Sequence, residues 1–379
     1  MTSFAIPFHR PSYSALEEEY VRRALASGKL HGAGEFTARA EAWLRRETGV
    51  ADVLLTSSCT HALEMAALLL DVGPGDEVIC PGYTFVSTAS AFALRGARLV
   101  FVDIDPGTMS LDVDAVRAAI SPATKGIVAV HYAGACGDLG ALSALADAHG
   151  LWLVEDAAQG VRARWRGRAL GSIGRLGACS FHATKNFTAA GEGGALLVND
   201  PRLAARAEIL RDKGTDRARF LRGEVDGYGW QALGSSYLMT EMQAAFLCAQ
   251  FERADEIQAA RLSVWRHYHE ALAPLEAAGR LCRPRPADDV EHNAHTYFLR
   301  TAHRDDLLAW CRARGVEVAT HFVPLHETPA GRRYGEFRGE DRHTANGSAQ
   351  LLRLPLWAGM QDAQVAQVID TVRQFFAAR

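Results

Sequence analysis

Ser180-Phe181-His182-Ala183-Thr184-Lys185-Asn186, followed closely by Gly191-Glu192-Gly193-Gly194, places a lysine in a small polar turn flanked by glycines. Upstream, the apolar run Leu151-Trp152-Leu153-Val154-Glu155-Asp156 ends in a carboxylate. A continuous apolar run reads as a buried strand of a parallel sheet. The carboxyl ends of such strands are where open α/β sheets collect ligand-binding residues. Between Asp156 and Lys185 the fold of the whole chain is decided.

A lysine in that turn, paired with an aspartate at a strand end, suits a pyridoxal phosphate (PLP) site. Lys185 would hold the cofactor as a Schiff base and Asp156 would keep its ring nitrogen protonated. A buried carboxylate needs a cationic or hydrogen-bonding partner, which a pyridinium supplies. Gln159, three residues on, is within reach of the ring's phenolic oxygen. Thr56-Ser57-Ser58-Cys59-Thr60 leads from a strand into a helix, and a helix start with free N–H groups favours a phosphate. Ser180 is a further phosphate donor. In Tyr83-Thr84-Phe85, Phe85 is the first choice to stack on the pyridine and Tyr83 the second. His182 fits an orienting role and a satisfied core histidine equally well. The glycines at 191–194 allow the backbone to approach a ligand closely.

Working outward, strands are predicted at Val53–Thr56, Glu77–Cys80, Leu99–Ile104, Gly126–His131, Trp152–Asp156, Ala178–His182 and Ala195–Asn199. Amphipathic helices alternate with them at Thr60–Leu70, Phe85–Leu94, Asp112–Ile120 and Leu139–His149. That alternation implies βαβ units and a mixed, mostly parallel sheet covered on both faces. Long helical patterns follow at Pro201–Asp212 and Thr240–Leu272. The C-terminal part shows strands at Tyr297–Thr301, Val316–Phe322 and Leu351–Leu356, with helices near Asp305–Arg314 and Gln361–Ala377. The expectation is a large α/β domain over residues 1–250, with an N-terminal arm, and a smaller α+β domain over 251–379.

The chain has 379 residues, 48% hydrophobic and 22% charged, with a net charge of −3. This is soluble globular composition, and the charge gives no reason to expect nucleic acid or an anionic membrane as partner. Seven scattered cysteines without CxxC spacing argue for reduced thiols in a cytoplasm. No signal peptide is expected from Met1–Pro11, and Val78–Leu94 is too short and broken to span a membrane. Gly32-Ala33-Gly34 half-matches a dinucleotide fingerprint but follows a helical pattern and lacks the third glycine. His292 and His295 have no partner motif, so no metal site is expected.

The chain resembles the DegT/DnrJ/EryC1/StrS sugar-nucleotide aminotransferases over nearly its full length. The specific segments are Val154–Gly160 and Ser180–Gly194, supported by Leu63–Asp71, Tyr83–Ala89, Gly234–Met239 and Pro324-Leu325-His326. The resemblance implies an aspartate-aminotransferase-like PLP fold and a homodimer with shared active sites. It makes Lys185 the catalytic residue and assigns cofactor contacts to Ser58, Cys59, Phe85, Asp156, Gln159, Ser180, Lys185 and Ser236. Ser236 stands where many members carry an asparagine that reaches the partner's cofactor phosphate, and Leu238 stands where they carry an arginine. Lys29, Tyr83, His182, Asn186 and His326 are the substrate-binding expectations. The implied substrates are L-glutamate and a nucleotide-linked sugar, dTDP-4-dehydro-6-deoxy-D-glucose in the members most similar over these segments.

Overall fold

The structure, a computed structural model, describes residues 4–379. Its strands in chain order are β1 (Asp52–Thr56), β2 (Glu77–Pro81), β3 (Arg98–Val102), β4 (Thr124–Val130), β5 (Trp152–Ala157), β6 (Arg164–Trp165), β7 (Arg168–Ala169), β8 (Leu176–Ser180), β9 (Gly194–Val198), β10 (Val290–Glu291), β11 (Tyr297–Arg300), β12 (Gly335–Phe337) and β13 (Leu351–Leu354). Eight of them form one sheet in the order β1-β9-β8-β5-β4-β2-β3-β12. Within it β9 runs antiparallel to both neighbours, and the remaining pairs are parallel.

Period-two alternation divides the strand residues between two cores. Val78, Cys80, Leu99, Phe101, Val128, Trp152 and Val154 pack on one face, against the helix Cys59–Leu69 and Phe92. Ile79, Val100, Val102, Ile127, Ala129 and Leu153 pack on the other, against Val116, Leu142 and Leu145. Both faces are therefore apolar, which is why these strands read as unbroken hydrophobic runs. The sheet and its two helical layers are the α/β fold anticipated from the sequence.

A third core gathers Val264, Tyr268, Leu299, Leu307, Leu352, Val368 and Phe376 around the β11–β13 pair. Two segments cross the expected division at residue 250. Ile6 packs in this C-terminal core and bridges Val316. In the other direction, β12 leaves it to extend the large sheet alongside β3.

The expected strand Val316–Phe322 makes only isolated bridges, Val316 to Ile6 and Ala319 to Arg353. The helical stretch Thr240–Leu272 is two helices, Glu241–Glu252 and Ala254–Ala271, interrupted at Arg253. There the backbone leaves helical geometry, and the guanidinium lies 3.5 Å from Glu17 and 2.7 Å from Glu256. All seven cysteines are free, and only Cys282 is exposed. Among the described residues no helix is long and apolar enough to cross a membrane.

Candidate active site

A cavity of about 820 Å³ opens at the carboxyl ends of the parallel strands. Ser58, Cys59, Phe85, Asp156, Gln159, Ser180, His182 and Lys185 all line it. The structure thus brings together most of what the sequence singled out.

Lys185 stands in a turn pinned on both sides. Its N–H donates to His182 O at 2.9 Å, and the N–H groups of Phe181 and Ala183 donate to Gly193 O and Gly191 O. Burial lowers the affinity of its amine for a proton, and the Arg353 charge adds to this, against the pull of Cys59 and Asp156. The Cys59 thiol is itself pushed well up by burial. It therefore stays protonated near neutrality and supplies no charge to restore the ammonium. A lysine amine biased toward the neutral form is a competent nucleophile and proton acceptor.

Asp156 ends β5, with 5% of its surface exposed. Thr88 Oγ1 donates to its Oδ2 at 2.6 Å and the Ala158 N–H to its Oδ1 at 3.1 Å. Two neutral donors leave the buried carboxylate's charge uncompensated, so a cation is its natural partner. Its neighbour Glu155 is fully buried but structural, accepting from the N–H groups of Gly171, Ile173 and Gly174 and pairing with His131 Nε2 at 2.8 Å. Gln159 Oε1 accepts the Ala133 N–H at 2.7 Å, which leaves its NH2 group as the donor.

Ser58 caps the helix Cys59–Leu69, its Oγ accepting the His61 N–H at 3.1 Å. The Cys59 and Thr60 N–H groups precede the first intrahelical bond and are open to an anion. Gly194 passes so near this turn that a Cβ there would meet Cys59 N at 2.4 Å. No residue but glycine fits that approach. Phe85 sits at the N-cap of the helix Val86–Ala93, 55% exposed, with its ring on the cavity. The donor set therefore fits PLP: a cationic partner for Asp156, an anion at the helix start, a ring beside Phe85 and a carbonyl for Lys185.

Several expected residues lie elsewhere. Tyr83 is 1% exposed and packs among Tyr132 and Phe322, off the cavity wall. Asn186 turns away, donating to Asn293 O and facing His295 Nδ1 with its Oδ1, each at 2.9 Å. His326 is drawn off to Asp341, 3.0 Å from its Nε2, and packs on Phe337. Lys29 and Ser236 are exposed and line no part of this cavity. For Tyr83, Asn186 and His326 direct substrate contact is replaced by packing or by holding another residue.

The sequence reading missed Thr88, and it missed His295, His321, Phe322 and Arg353, which the C-terminal part contributes to the cavity wall. Burial and nearby cations hold both histidines well below the usual imidazole range, so they are neutral near pH 7. Their partners then fix the tautomers. The Asn186 amide N–H donates to a carbonyl, so its oxygen must accept from His295 Nδ1–H, leaving His295 Nε2 a bare acceptor. Tyr83 OH lies 3.5 Å from Tyr132 OH, and Tyr132 OH lies 2.8 Å from His321 Nδ1. A relay donating from Tyr83 through Tyr132 to Nδ1 leaves His321 Nε2–H as a donor.

Comparison with known proteins agrees with this geometry. The chain is 34% identical to the GDP-perosamine synthase of Caulobacter vibrioides, covering 96% of each protein. It is 34% identical to the "pleiotropic regulatory protein" of Geobacillus stearothermophilus over 84% of this chain and 83% of that one. The aminotransferase TlmJ from Streptoalloteichus hindustanus superposes with a TM-score of 0.91 at 34% identity, covering 98% of this chain and 99% of its own. The family model describing DegT/DnrJ/EryC1/StrS aminotransferases matches residues 11–373. The chain thus belongs to the DegT/DnrJ/EryC1/StrS aminotransferase family, whose members are PLP-dependent sugar aminotransferases.

Proposed function

We propose that this enzyme moves the amino group of L-glutamate to the 4-keto carbon of dTDP-4-dehydro-6-deoxy-D-glucose, giving dTDP-4-amino-4,6-dideoxy-D-galactose. The observation that carries the reading is the placement of Lys185, its amine biased toward neutrality, on one cavity wall with the buried Asp156. When bound, PLP supplies an electron sink for the carbon that loses its proton. Lys185 Nζ takes the α-proton from the donor and later returns a proton at C4 of the sugar. Asp156 holds the pyridine nitrogen protonated, while Ser58, Cys59 and Ser180 hold the phosphate. Gln159 donates its NH2 to the ring oxygen, and Phe85 covers one ring face. Neutral His321 Nε2–H and His295 Nε2 offer the sugar one donor and one acceptor. Because donor and acceptor share one cavity, they react in turn.

The face of the sugar presented to Lys185 sets the C4 configuration, so the 4-amino-4,6-dideoxyglucose epimer is the second reading. A relative named GDP-perosamine synthase makes a guanine nucleotide the alternative carrier to test. Another relative bears a regulatory name, but this chain's intact Lys185–Asp156 pair supports catalysis. The free thiols, six of them buried, support a cytoplasmic enzyme. Ser236, exposed and away from its own cavity, supports a homodimer in which it serves the partner's site. The deciding experiment is incubation of the holoenzyme and L-glutamate with dTDP- and GDP-linked 4-keto-6-deoxy sugars, with NMR of the product at C4. An axial amine on the dTDP sugar is expected, and Lys185→Ala should cut turnover by roughly a thousandfold or more. No amination of either sugar would sink the reading.

A further inference from the structure

Residues 6–12 form an arm that runs from the C-terminal part past the lysine turn. At one end the Ile6 N–H donates to Gly315 O at 3.0 Å, and the Glu317 N–H donates to Ile6 O at 2.9 Å. The Phe8 N–H donates to Glu317 Oε2 at 2.8 Å, and the centre of the Phe8 ring lies 4.7 Å from Arg353 Cζ. At the other end Ser12 O accepts from Gln250 Nε2 at 2.7 Å. Between these anchors Phe8 and His9 line the cavity, and His9 Nε2 stands 2.9 Å from Ala183 O. A carbonyl only accepts, so this nitrogen carries the proton. Burial and Arg261 bring His9 down to about 4, with His182 adding to them against the bond to Ala183 O. The ring is therefore neutral near pH 7, and it gives the turn a hydrogen bond without adding a cation beside Lys185.

The bonded carbonyl belongs to the peptide between Ala183 and Thr184, one peptide ahead of the one that enters Lys185. Its oxygen is held by His9, and its N–H, that of Thr184, donates to His182 Nδ1 at 3.2 Å. Two imidazoles thus set the plane of this peptide. The glycine loop holds the peptide before it, through the Ala183 N–H and Gly191 O at 2.8 Å. Beyond Lys185, Asn186 Nδ2 donates to Asn293 O at 2.9 Å. A rigid peptide turns about the soft dihedrals on either side of it, so losing one of its two bonds frees a rotation that displaces the Lys185 Cα. Resting on the transamination reading, we propose that His9 is a positioning residue for Lys185. Through the Ala183–Thr184 peptide, the N-terminal arm fixes where Lys185 Nζ stands for proton transfer in both halves of turnover.

Lys185 acts in both halves of turnover, so a residue that places it must change both maximal rates and neither substrate's binding. The donor half-reaction of PLP-loaded enzyme with L-glutamate is followed by the cofactor's absorbance. The acceptor half-reaction is followed in the same way after adding dTDP-4-dehydro-6-deoxy-D-glucose to the amine-loaded enzyme. His9→Leu keeps an apolar filler in the arm and removes the donor. It should lower the maximal rate of both halves by roughly tenfold to a hundredfold, as for a reacting group displaced by about 1 Å. The concentrations of glutamate and sugar nucleotide for half-maximal rate should change less than about twofold. His9→Gln, whose amide N–H takes the place of Nε2–H, should recover most of the rate in both halves. Unchanged rates in His9→Leu, a loss confined to one half, or no recovery in His9→Gln would overturn the assignment. So would a His9→Leu chain that no longer holds PLP, which would make the arm a structural strut. Wild-type enzyme that converts neither substrate would instead overturn the transamination reading on which the assignment rests.

Discussion

For Asp156 to serve a pyridinium as proposed, its carboxylate must be held in place, and Thr88 supplies the side-chain bond that does so beside the Ala158 N–H. Thr88 is fully buried, donates to Asp156 Oδ2 at 2.6 Å and is backed by Thr84 Oγ1 at 2.8 Å. Thr88→Val keeps the side-chain shape and removes that donor. A hydrogen bond to a charged group is worth about 1.5–3 kcal/mol. PLP affinity, measured by spectrophotometric titration of apoenzyme, should therefore fall about tenfold or more, with Thr88→Ser restoring it. Equal affinity in Thr88→Val and wild type would remove Thr88 from the site. Sequence could not have named this threonine, because a Thr on a small-residue helix carries no mark of what its hydroxyl meets. Lys185 and Asp156 were legible because each is an ionisable residue in an apolar or glycine-rich setting that otherwise gives no reason for it. Tyr83 and Asn186 do not line the cavity: Tyr83 meets Tyr132, which bonds His321, and Asn186 bonds His295.

At the scale of elements, the segment from Arg217 to Ser236 needs an explanation that its own subunit does not give. Phe220, Leu221, Tyr228, Trp230 and Leu233 are 40–76% exposed, next in sequence to Ser236. So dense an apolar exposure is what a subunit interface presents. In a dimer whose sites take Ser236 from the partner, Lys185→Ala and Ser236→Trp should each be inactive alone. Mixed after co-expression, they should recover about a quarter of wild-type activity, since half the dimers hold one fully wild-type site. No recovery would mean that Ser236 does not complete the partner's site, and an active Ser236→Trp would mean that it serves no site. The parallel strands themselves were readable because burial on both faces makes each a continuous apolar run. By contrast, β12 is three residues long and pairs with a strand more than two hundred residues away, a link no local pattern carries. Residues 316–322 have the β-rich composition of a strand, yet they make isolated bridges because Ile6 and Arg353 meet them at single points.

Across the whole molecule the cavity is a junction: the lysine and aspartate come from the large sheet, and His295, His321 and Arg353 from the C-terminal part. Closing that junction buries histidines beside cations, which gives stability a definite dependence on pH. Burial and Arg261 bring His9 down to about 4, while His182 also lowers it and a bond to Ala183 O opposes them. Burial, His269 and Arg266 bring His292 to about 4. Burial, with Lys185, Arg261, His321 and Arg353, holds His295 well below the usual imidazole range, and burial with Arg353 and Lys185 does the same for His321. An unfolded histidine has a pKa of about 6.5. Between that value and the folded ones, the unfolded chain binds more protons than the native one, so stability rises with pH there. The stabilisation is complete above about pH 6.5 and is lost as pH falls towards 4. The depressed carboxylates Glu77, Glu155 and Glu276 start from 4.5 and titrate below this window, so its slope belongs to the histidines. With PLP saturating, the urea midpoint should be flat from pH 8 to 7 and fall steadily from about 6.5 to 4.5. His292→Asn keeps an acceptor for the Ala294 N–H, which Nδ1 now receives at 3.2 Å. It lies away from Lys185 and should make that fall shallower without changing turnover. A midpoint that stays level down to pH 4.5 would show that these imidazoles gain protons in the folded state as readily as in the unfolded one.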